Sequence, residues 1–205
     1  MLANLKISDF LEQTAAGTPV PGGGSVAALN AALAASLTEM VANLTVGKKG
    51  YEAAETEMQA IARAAARLRA QLIQDIDQDA AAYNEVMAAF RLPQETEAEK
   101  GRRSRAIQEG MQKAASVPLK VARAALQVMG LASAVISKGN KNAVTDGAVA
   151  VINARSAALA ALYNVKINLI SVKDNAFVDK AGQEVRRIES EVKNQEKEIL
   201  ASVKI

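Results

Sequence analysis

The sequence predicts an all-α protein, a single domain over residues 1–205 built as a bundle of about five long helices plus short helices. Three observations lead to this prediction. Apolar residues recur at the 3.6-residue spacing of helices along most of the chain. No segment longer than a few residues alternates between apolar and polar side chains, as a half-buried strand would. Hydrophobic residues make up 50% of the chain and aromatic residues only 3%, which favours an aliphatic, alanine-rich core of closely packed helices.

The first predicted element is a short helix near the N-terminus. Ser8 can cap its start, and Leu11 is expected to face inward. Gly17 ends the helix after about Ala16, because glycine is the usual residue beyond a helix C-terminus.

A stiff, glycine-rich turn follows at residues 19–25, PVPGGGS. Proline fixes φ, whereas the three glycines admit backbone angles that are closed to other residues. Ser25 is expected to cap the first long helix, which extends to about Val46. Backbone N–H groups at such a turn can bind anions or carbonyl oxygens.

Tyr51 to about Phe90 predicts a second long helix, since the segment contains neither proline nor glycine. Its apolar side comprises Ile61, Leu68, Leu72, Ile76 and Tyr83. Leu92 and Pro93 end it.

The third long helix begins at Thr96, which together with Glu99 makes a capping-box pattern. It is expected to reach about Met129, with a kink or a break at Pro118. A short helix over residues 131–138 follows and ends at Gly139.

Two further helices complete the chain. Asp146 or Thr145 is expected to cap a buried helix that extends to about Val172. From about Asp174 an amphipathic helix with alternating charges continues to the end.

Both buried helices carry a polar stripe. On a helical projection, one stripe lies within roughly 40° and comprises Ser25, Ala32, Ser36, Glu39 and Asn43. The other lies within roughly 40° of Asp146 and contains Asn153, Asn164, Asn168 and Ser171. Buried polar groups need hydrogen-bond partners, and either a ligand or a neighbouring helix can supply them. Asp146 can equally serve only as a helix cap.

Asp75, Asp79 and Tyr83 share a face of the second long helix at four-residue spacing. Acidic runs such as DIDQD usually form a solvated face. Tyr83 nevertheless belongs to the apolar side, so Asp79 is a candidate for partial burial and a raised pKa.

The composition limits the chemistry. The chain has no cysteine and no histidine, so a zinc site, a disulfide framework and a thiol nucleophile are not expected. The net charge of +3, without stacking aromatics or a dense basic stripe, argues against nucleic acid and suits an anionic small molecule. No signal peptide and no membrane span are expected, which indicates a cytoplasmic protein.

Five motifs along the chain form a recognisable set. The first two are PVPGGGSVAAL (19–29) and NLTVGKKGY (43–51). The others are Asp79 with Ala82 and Tyr83, TDGAVAVINA (145–154) and YNVKINL (163–169). Together they resemble the formiminotetrahydrofolate cyclodeaminase and methenyltetrahydrofolate cyclohydrolase family. Glu39 departs from the pattern, since the family has a small residue there.

The resemblance implies hydrolysis of 5,10-methenyltetrahydrofolate to 10-formyltetrahydrofolate. The segments LPQETEAEKGRR (92–103) and IQEGMQKAASVPL (107–119) favour a free-standing cyclohydrolase. Two alternatives stay open: a cyclodeaminase that releases ammonia from 5-formiminotetrahydrofolate, and a non-catalytic helical folate-binding protein. A homodimer is also expected, because two nearly all-apolar helices exceed what one such domain buries and family members associate.

The implied site needs no metal and no cofactor, because the tetrahydrofolate derivative, with or without a polyglutamate tail, is the substrate. The resemblance implies three candidate catalytic residues, Asp146, Asp79 and Lys48. The candidate substrate-binding residues are Gly22, Gly23, Gly24, Ser25, Ser36, Asn43, Lys49, Tyr51, Tyr83, Asn142, Asn164 and Asn168. All of them are expected to face one cleft, with the Lys48–Tyr51 loop over its mouth.

Overall fold

The computed structural model describes residues 1–204, which form helices and connecting turns and contain no strand. The α-helices are α1 (Ile7–Ala15), α2 (Gly23–Asn43), α3 (Glu55–Phe90), α4 (Glu97–Lys138), α5 (Val144–Leu169) and α6 (Asn175–Ala201). Short 3₁₀ turns lie at Leu2–Asn4, Glu52–Ala54 and Lys141–Ala143. The prediction of an all-α fold with five long helices and short ones is confirmed.

The core of the bundle is largely alanine. Every alanine on the inner faces of α2 and α5 is almost fully buried, which lets these two helices approach each other and α4 closely. Larger side chains fill the remaining space, the bulkiest being Met58, Leu72, Met129, Leu162 and Ile188. The low aromatic content therefore reflects the close packing of the helices.

Helices α2 and α5 run antiparallel, and this arrangement determines which residues can meet. The start of α2 lies beside the end of α5, where Asn164 contacts Gly23. The end of α2 lies beside the turn that precedes α5, where Thr45 Oγ1 accepts a hydrogen bond from the Asn140 N–H at 2.9 Å. The two ends of the bundle thus carry different parts of the predicted site.

Pro118 does not divide α4, so this one of the two outcomes predicted from the sequence is wrong, and the separate helix expected over residues 131–138 is the last part of α4. A proline in a helix leaves the carbonyl four residues earlier without its N–H partner. Here that carbonyl belongs to Ala114, and it accepts a hydrogen bond from Asn168 Nδ2 at 2.8 Å. The neighbouring helix α5 therefore compensates for the proline.

Helix caps show where local signals are reliable. The Thr96–Glu99 capping box is present, and Asp174 caps α6 through the N–H of Phe177. The caps predicted at Ser8, Ser25 and Asp146 or Thr145 are wrong, because α1, α2 and α5 follow Lys6, Gly22 and Ala143. The inward position predicted for Leu11 is also wrong: Phe10 is buried and Leu11 is exposed.

Three segments are long and apolar enough to cross a membrane by length and composition: α2, α4 and residues 141–169. This criterion concerns length and composition only, and the expectation that the chain has no membrane span stays a prediction. In the bundle, however, 56%, 56% and 44% of their most apolar windows are buried against the rest of the protein. Part of the remaining apolar surface forms an exposed face on α2 and α5.

Candidate active site

The carboxylate of Asp79 lies against the first turn of α2. Asp79 Oδ2 and the Ile76 carbonyl oxygen each lie 3.0 Å from Ser25 Oγ, so the fully buried Ser25 hydroxyl can donate to either. The carboxylate also packs directly on Gly24, where a Cβ atom would overlap Asp79 Oδ1 and lie 2.7 Å from Oδ2. Glycine at position 24 is therefore required to make room for the acid.

The glycine turn brings three helices together at this point. Gly22 is the N-cap of α2, and no side chain caps the helix. A Cβ atom at Gly23 would lie 3.4 Å from Asn164 Nδ2, so this asparagine stands beside the turn. The same amide nitrogen donates to the carbonyl of Ala160 in its own helix at 3.0 Å. Free N–H groups, an amide and a carboxylate thus converge where α2 begins.

Burial raises the pKa of the Asp79 carboxyl group, because desolvation disfavours its charged form. Hydrogen bonds from the side chain and the backbone of Ser25 act in the opposite direction and lower the pKa. Desolvation is the larger effect, so the acid binds its proton more tightly than an exposed aspartate does. A carboxyl group with a pKa raised in this way is a candidate for general acid–base chemistry.

Tyr83 and Asn168, both predicted to bind substrate, have different surroundings at this end. Tyr83 lies one turn beyond Asp79 on α3 and is 38% exposed, so its hydroxyl is accessible. Asn168 is half-buried, and its amide nitrogen is occupied by the Ala114 carbonyl. The alternative interpretation, an asparagine that bridges helices, therefore describes the contact that Asn168 makes.

Lys48, Lys49, Tyr51, Asn142 and Asp146 lie at the opposite end of the bundle. Gly47 and Gly50, with φ values of 70° and 90°, enclose the two lysines in a tight loop after α2. The Tyr51 hydroxyl oxygen accepts the N–H of Lys141 at 3.0 Å, which joins this loop to the turn before α5. Asn142 is exposed in that turn, and Asp146 is half-buried in the first turn of α5.

The two groups of residues are far apart within one chain. Asp146 precedes Asn164 by 18 residues on α5, so about 27 Å separates them along the helix axis. Ser36 lies between the two ends on α2, where its Oγ donates to the Ala32 carbonyl at 2.8 Å, whereas Asn43 is the last residue of α2 and lies at the end that carries Lys48. Glu39, on the same stripe, pairs with Arg69 at 2.8 Å. The prediction of a single cleft is therefore wrong for an isolated chain.

Two features of the site region are absent from the sequence prediction. Asp75, predicted within a solvated acidic face, is fully buried and accepts a hydrogen bond from Lys120 Nζ at 2.8 Å. Its position three residues after Leu72 and beside Ile76, both on the apolar side, is the signal that could have revealed this. Thr45 and Asn140, which join α2 to the turn before α5, carry no comparable signal.

The described residues 1–204 contain no group of three or more metal-ligating side chains that could hold an ion. The site at the start of α2 consists of one carboxylate, one hydroxyl, one amide and backbone N–H groups. Such a set can bind a polar ring edge, orient water and move a proton.

Comparison with known proteins gives consistent results along the chain. Residues 6–187 match the family model described as formiminotransferase-cyclodeaminase. A methenyltetrahydrofolate cyclohydrolase from Methylorubrum extorquens is 36% identical over 204 residues, which cover 100% of this chain and 98% of that protein. The formimidoyltransferase-cyclodeaminase of Rattus norvegicus is 32% identical over 98% of this chain, which spans only 37% of that longer protein.

A solved structure is similar as well. The crystal structure of formiminotetrahydrofolate cyclodeaminase from Thermotoga maritima superposes with a TM-score of 0.89. The match covers 99% of this chain and 98% of that one, with 29% sequence identity.

Proposed function

This chain belongs to the formiminotransferase-cyclodeaminase family, and we propose from that premise that it is a methenyltetrahydrofolate cyclohydrolase. The enzyme would hydrolyse 5,10-methenyltetrahydrofolate to 10-formyltetrahydrofolate. Full-length similarity to a cyclohydrolase supports the reaction. The observation that carries the mechanism is the half-buried Asp79 carboxylate, whose pKa is raised, at the glycine turn.

Asp79 is proposed as the general base and then the general acid. Water adds to the methenyl carbon of the cationic substrate, and Asp79 accepts a proton from the attacking water. The adduct collapses when the bond between this carbon and N5 breaks, so that the formyl group stays on N10. N5 takes up the proton that Asp79 returns, and the adduct hydroxyl loses its proton to solvent, which balances the reaction. A group that works in both directions needs a pKa near the working pH.

The neighbours of Asp79 have supporting roles in this proposal. Ser25 donates a hydrogen bond to the carboxylate and so holds its orientation. The free N–H groups at the start of α2 and the Asn164 amide are polar groups that can orient the substrate beside Asp79. Tyr83 is accessible and lies one turn away, so it can form one wall of the substrate site beside Asp79.

A cyclodeaminase remains the second candidate, because the structurally similar protein from Thermotoga maritima carries that activity in its name. In this reaction N10 attacks the formimino carbon of 5-formiminotetrahydrofolate, and ammonia leaves. The same aspartate would protonate the leaving nitrogen, so the two reactions share one acid–base group.

Turnover measurements distinguish these functions. A cyclohydrolase is expected to remove the near-ultraviolet absorbance of the methenyl compound, and a chelator should leave the rate unchanged, because the chain has no histidine or cysteine to hold zinc. Activity with the formimino substrate alone would identify a cyclodeaminase. Binding without turnover would identify a folate-binding protein, and reversible loss of activity with chelator would contradict the metal-free mechanism.

The proposed assembly is a homodimer formed through α2 and α5. Large apolar side chains are exposed along both helices, namely Leu33, Met40, Leu44, Val149, Ile152, Tyr163 and Ile167. The face formed by these apolar side chains of α2 and α5 is poor in charged residues. No charged residue lies between Gly23 and Thr38 on α2, while Arg155 and Lys166 of α5 pair with Glu196 and Glu189 of α6. An apolar, nearly uncharged face of this extent favours association with a second copy.

An antiparallel pairing of the two copies would restore the single cleft predicted from the sequence. It would place Asp79 of one chain near Lys48, Lys49 and Asp146 of the other. The two lysines could then bind the glutamate tail of a substrate held beside the partner chain's Asp79.

Mixing two inactive variants tests this arrangement. Asp79→Asn and the double variant Lys48→Met/Asp146→Asn should each be inactive as homodimers. After mixing and subunit exchange, about a quarter of wild-type activity is expected, because half of the dimers are heterodimers with one intact site. A mixture that stays inactive although light scattering shows dimers would contradict a shared site. A monomer at micromolar concentration would contradict the dimer itself.

A further inference from the structure

A buried ion pair lies one helical turn from the proposed catalytic acid. Asp75 is fully buried in α3, and its Oδ1 accepts a hydrogen bond from Lys120 Nζ at 2.8 Å. Asp75 Oδ2 is also buried and has no hydrogen-bond partner within residues 1–204. The Lys120 side chain extends from α4 and remains 41% exposed, so one partner of the ion pair is buried and the other reaches solvent. Neither residue has a role in the mechanism proposed above.

Burial of Asp75 has an energetic consequence. A carboxylate removed from water is strongly disfavoured unless an opposite charge and hydrogen bonds compensate. Lys120 provides the salt bridge that compensates Asp75. If Lys120 were neutral, Asp75 would become an uncompensated charge inside the bundle.

The position of Asp75 connects this charge with Asp79. Residues four apart lie on the same face of a helix and about one turn from each other. Ile76, between them, offers its carbonyl oxygen to the same Ser25 hydroxyl that contacts Asp79. The turn of α3 from Asp75 to Asp79 is thus bound to α4 at one end and to α2 at the other.

Other charged groups near Asp79 are compensated or absent on each element that packs there. The first turns of α2 carry no charge, and α5 contributes the neutral Asn164. On α3, Asp77 accepts the N–H groups of Leu2 and Ala3 from the N-terminal 3₁₀ turn. Further along the same helix, Glu85 pairs with Lys113 of α4 at 2.6 Å. Asp75 and Lys120 therefore form the charge pair whose balance bears most directly on Asp79.

We propose that Lys120 is a positioning residue for catalysis: it neutralises Asp75 and thereby allows Asp79, one turn further along α3, to ionise within the pH range of the reaction. The proposal rests on the proposed function, in which Asp79 must be ionised to accept a proton from water. Lys120 acts through Asp75 and does not touch the substrate.

The pH dependence of kcat/KM in single and double variants tests the proposal. Lys120→Met leaves a second carboxylate uncompensated, so the midpoint of the acid limb should rise by about one pH unit. Asp75→Asn leaves a positive charge near Asp79, so the midpoint should fall by a similar amount. The double variant Asp75→Asn/Lys120→Met removes both charges and should restore the wild-type midpoint, and Lys120→Arg should retain it. On the acid limb, a rise of about one unit lowers kcat/KM about tenfold.

Opposite shifts in the two single variants distinguish this role from a merely structural one. Loss of packing would lower activity in both variants without moving the midpoints in opposite directions. The inference is overturned if Lys120→Met leaves the midpoint unchanged, or if the double variant shifts like Lys120→Met. Should Lys120→Met fail to fold, Asp75→Asn and the double variant still decide the question, since neutral replacement of a buried pair is often tolerated. Failure of the proposed function would appear separately, as a wild-type protein without turnover.

Discussion

Replacing Asp79 by asparagine is expected to lower kcat by about 10²–10⁴-fold, the usual contribution of a general acid–base group. Asparagine keeps the shape of the side chain beside Gly24 and Ser25 but cannot accept the proton of water. Stopped-flow or steady-state loss of the methenyl absorbance measures the effect. The loss should appear in kcat, because proton transfer occurs in the chemical step and not in binding.

Asp77→Asn provides a matched control. It removes the same charge two residues away, where the carboxylate accepts the N–H groups of Leu2 and Ala3 and does not face the glycine turn. Its kcat should stay within about threefold of the wild type, since removal of a charge outside the site leaves the acid–base group in place. Equal losses in both variants, or a wild-type kcat in Asp79→Asn, would exclude Asp79 as the base.

The raised pKa of Asp79 also makes a prediction about stability. The folded protein binds this proton more tightly than the unfolded chain. The contribution of Asp79 to the free energy of unfolding is therefore greatest at low pH. Stability then falls as the pH rises from the unfolded pKa through the folded pKa. Asp79→Asn cannot ionise, so its free energy of unfolding relative to the wild type should increase between pH 4 and pH 8. Urea unfolding of both proteins at both pH values measures this difference, because the contributions of all other titratable groups are the same in the two proteins and cancel.

Expected wild-type kinetics follow from the same ionisation. The acid limb of kcat/KM should have its midpoint above that of an ordinary aspartate, because burial holds the proton on Asp79. A stability that decreases as the catalytic base ionises is the pattern expected when a site is arranged for chemistry at the expense of folding.

Local signals in the sequence identify helices more reliably than their ends or their partners. The Thr96–Glu99 capping box involves residues three apart, and it forms as predicted. Ser25 has the same local signal as an N-cap, yet its hydroxyl is used across the bundle by Ile76 and Asp79, 51 and 54 residues away. A long-range partner of this kind overrides the local preference.

Pro118 is a second position at which a long-range partner overrides a local sequence signal. Its local effect predicts a kink or a break, but Asn168 of α5 satisfies the free carbonyl and α4 continues. The residues predicted for the two polar stripes lie on α2 and α5, except Ser171, which follows the end of α5 at Leu169. Helices α2 and α5 run antiparallel, so Asp146 and Ser25 lie at opposite ends of the bundle. This arrangement depends on packing between the helices, which no local sequence pattern predicts.

Gly24→Ala is expected to damage both activity and stability, because it crowds the carboxylate of the candidate site. A Cβ atom at this position would overlap Asp79 Oδ1, so either the carboxylate must leave the glycine turn or α2 must move away from α3. Activity is expected to fall at least about 10²-fold, because the base is displaced. The free energy of unfolding should fall by about 1–3 kcal/mol, the usual cost of overpacking. Methenyl turnover and urea unfolding measure the two effects.

Two comparisons separate crowding from a general effect of replacing glycine. At Gly130 of α4 a Cβ atom meets nothing within 4 Å in the part of the chain that the structure describes, so Gly130→Ala should retain activity and gain stability from its higher helix propensity. The double variant Gly24→Ala/Asp79→Ala removes the carboxyl group that the new methyl group would strike, and it keeps a good helix-forming residue at position 79 of α3. It should recover the stability lost in Gly24→Ala yet remain inactive, because space is restored and the base is not. If Gly24→Ala alone keeps both wild-type activity and wild-type stability, the carboxylate does not occupy the position against the glycine turn on which the mechanism depends.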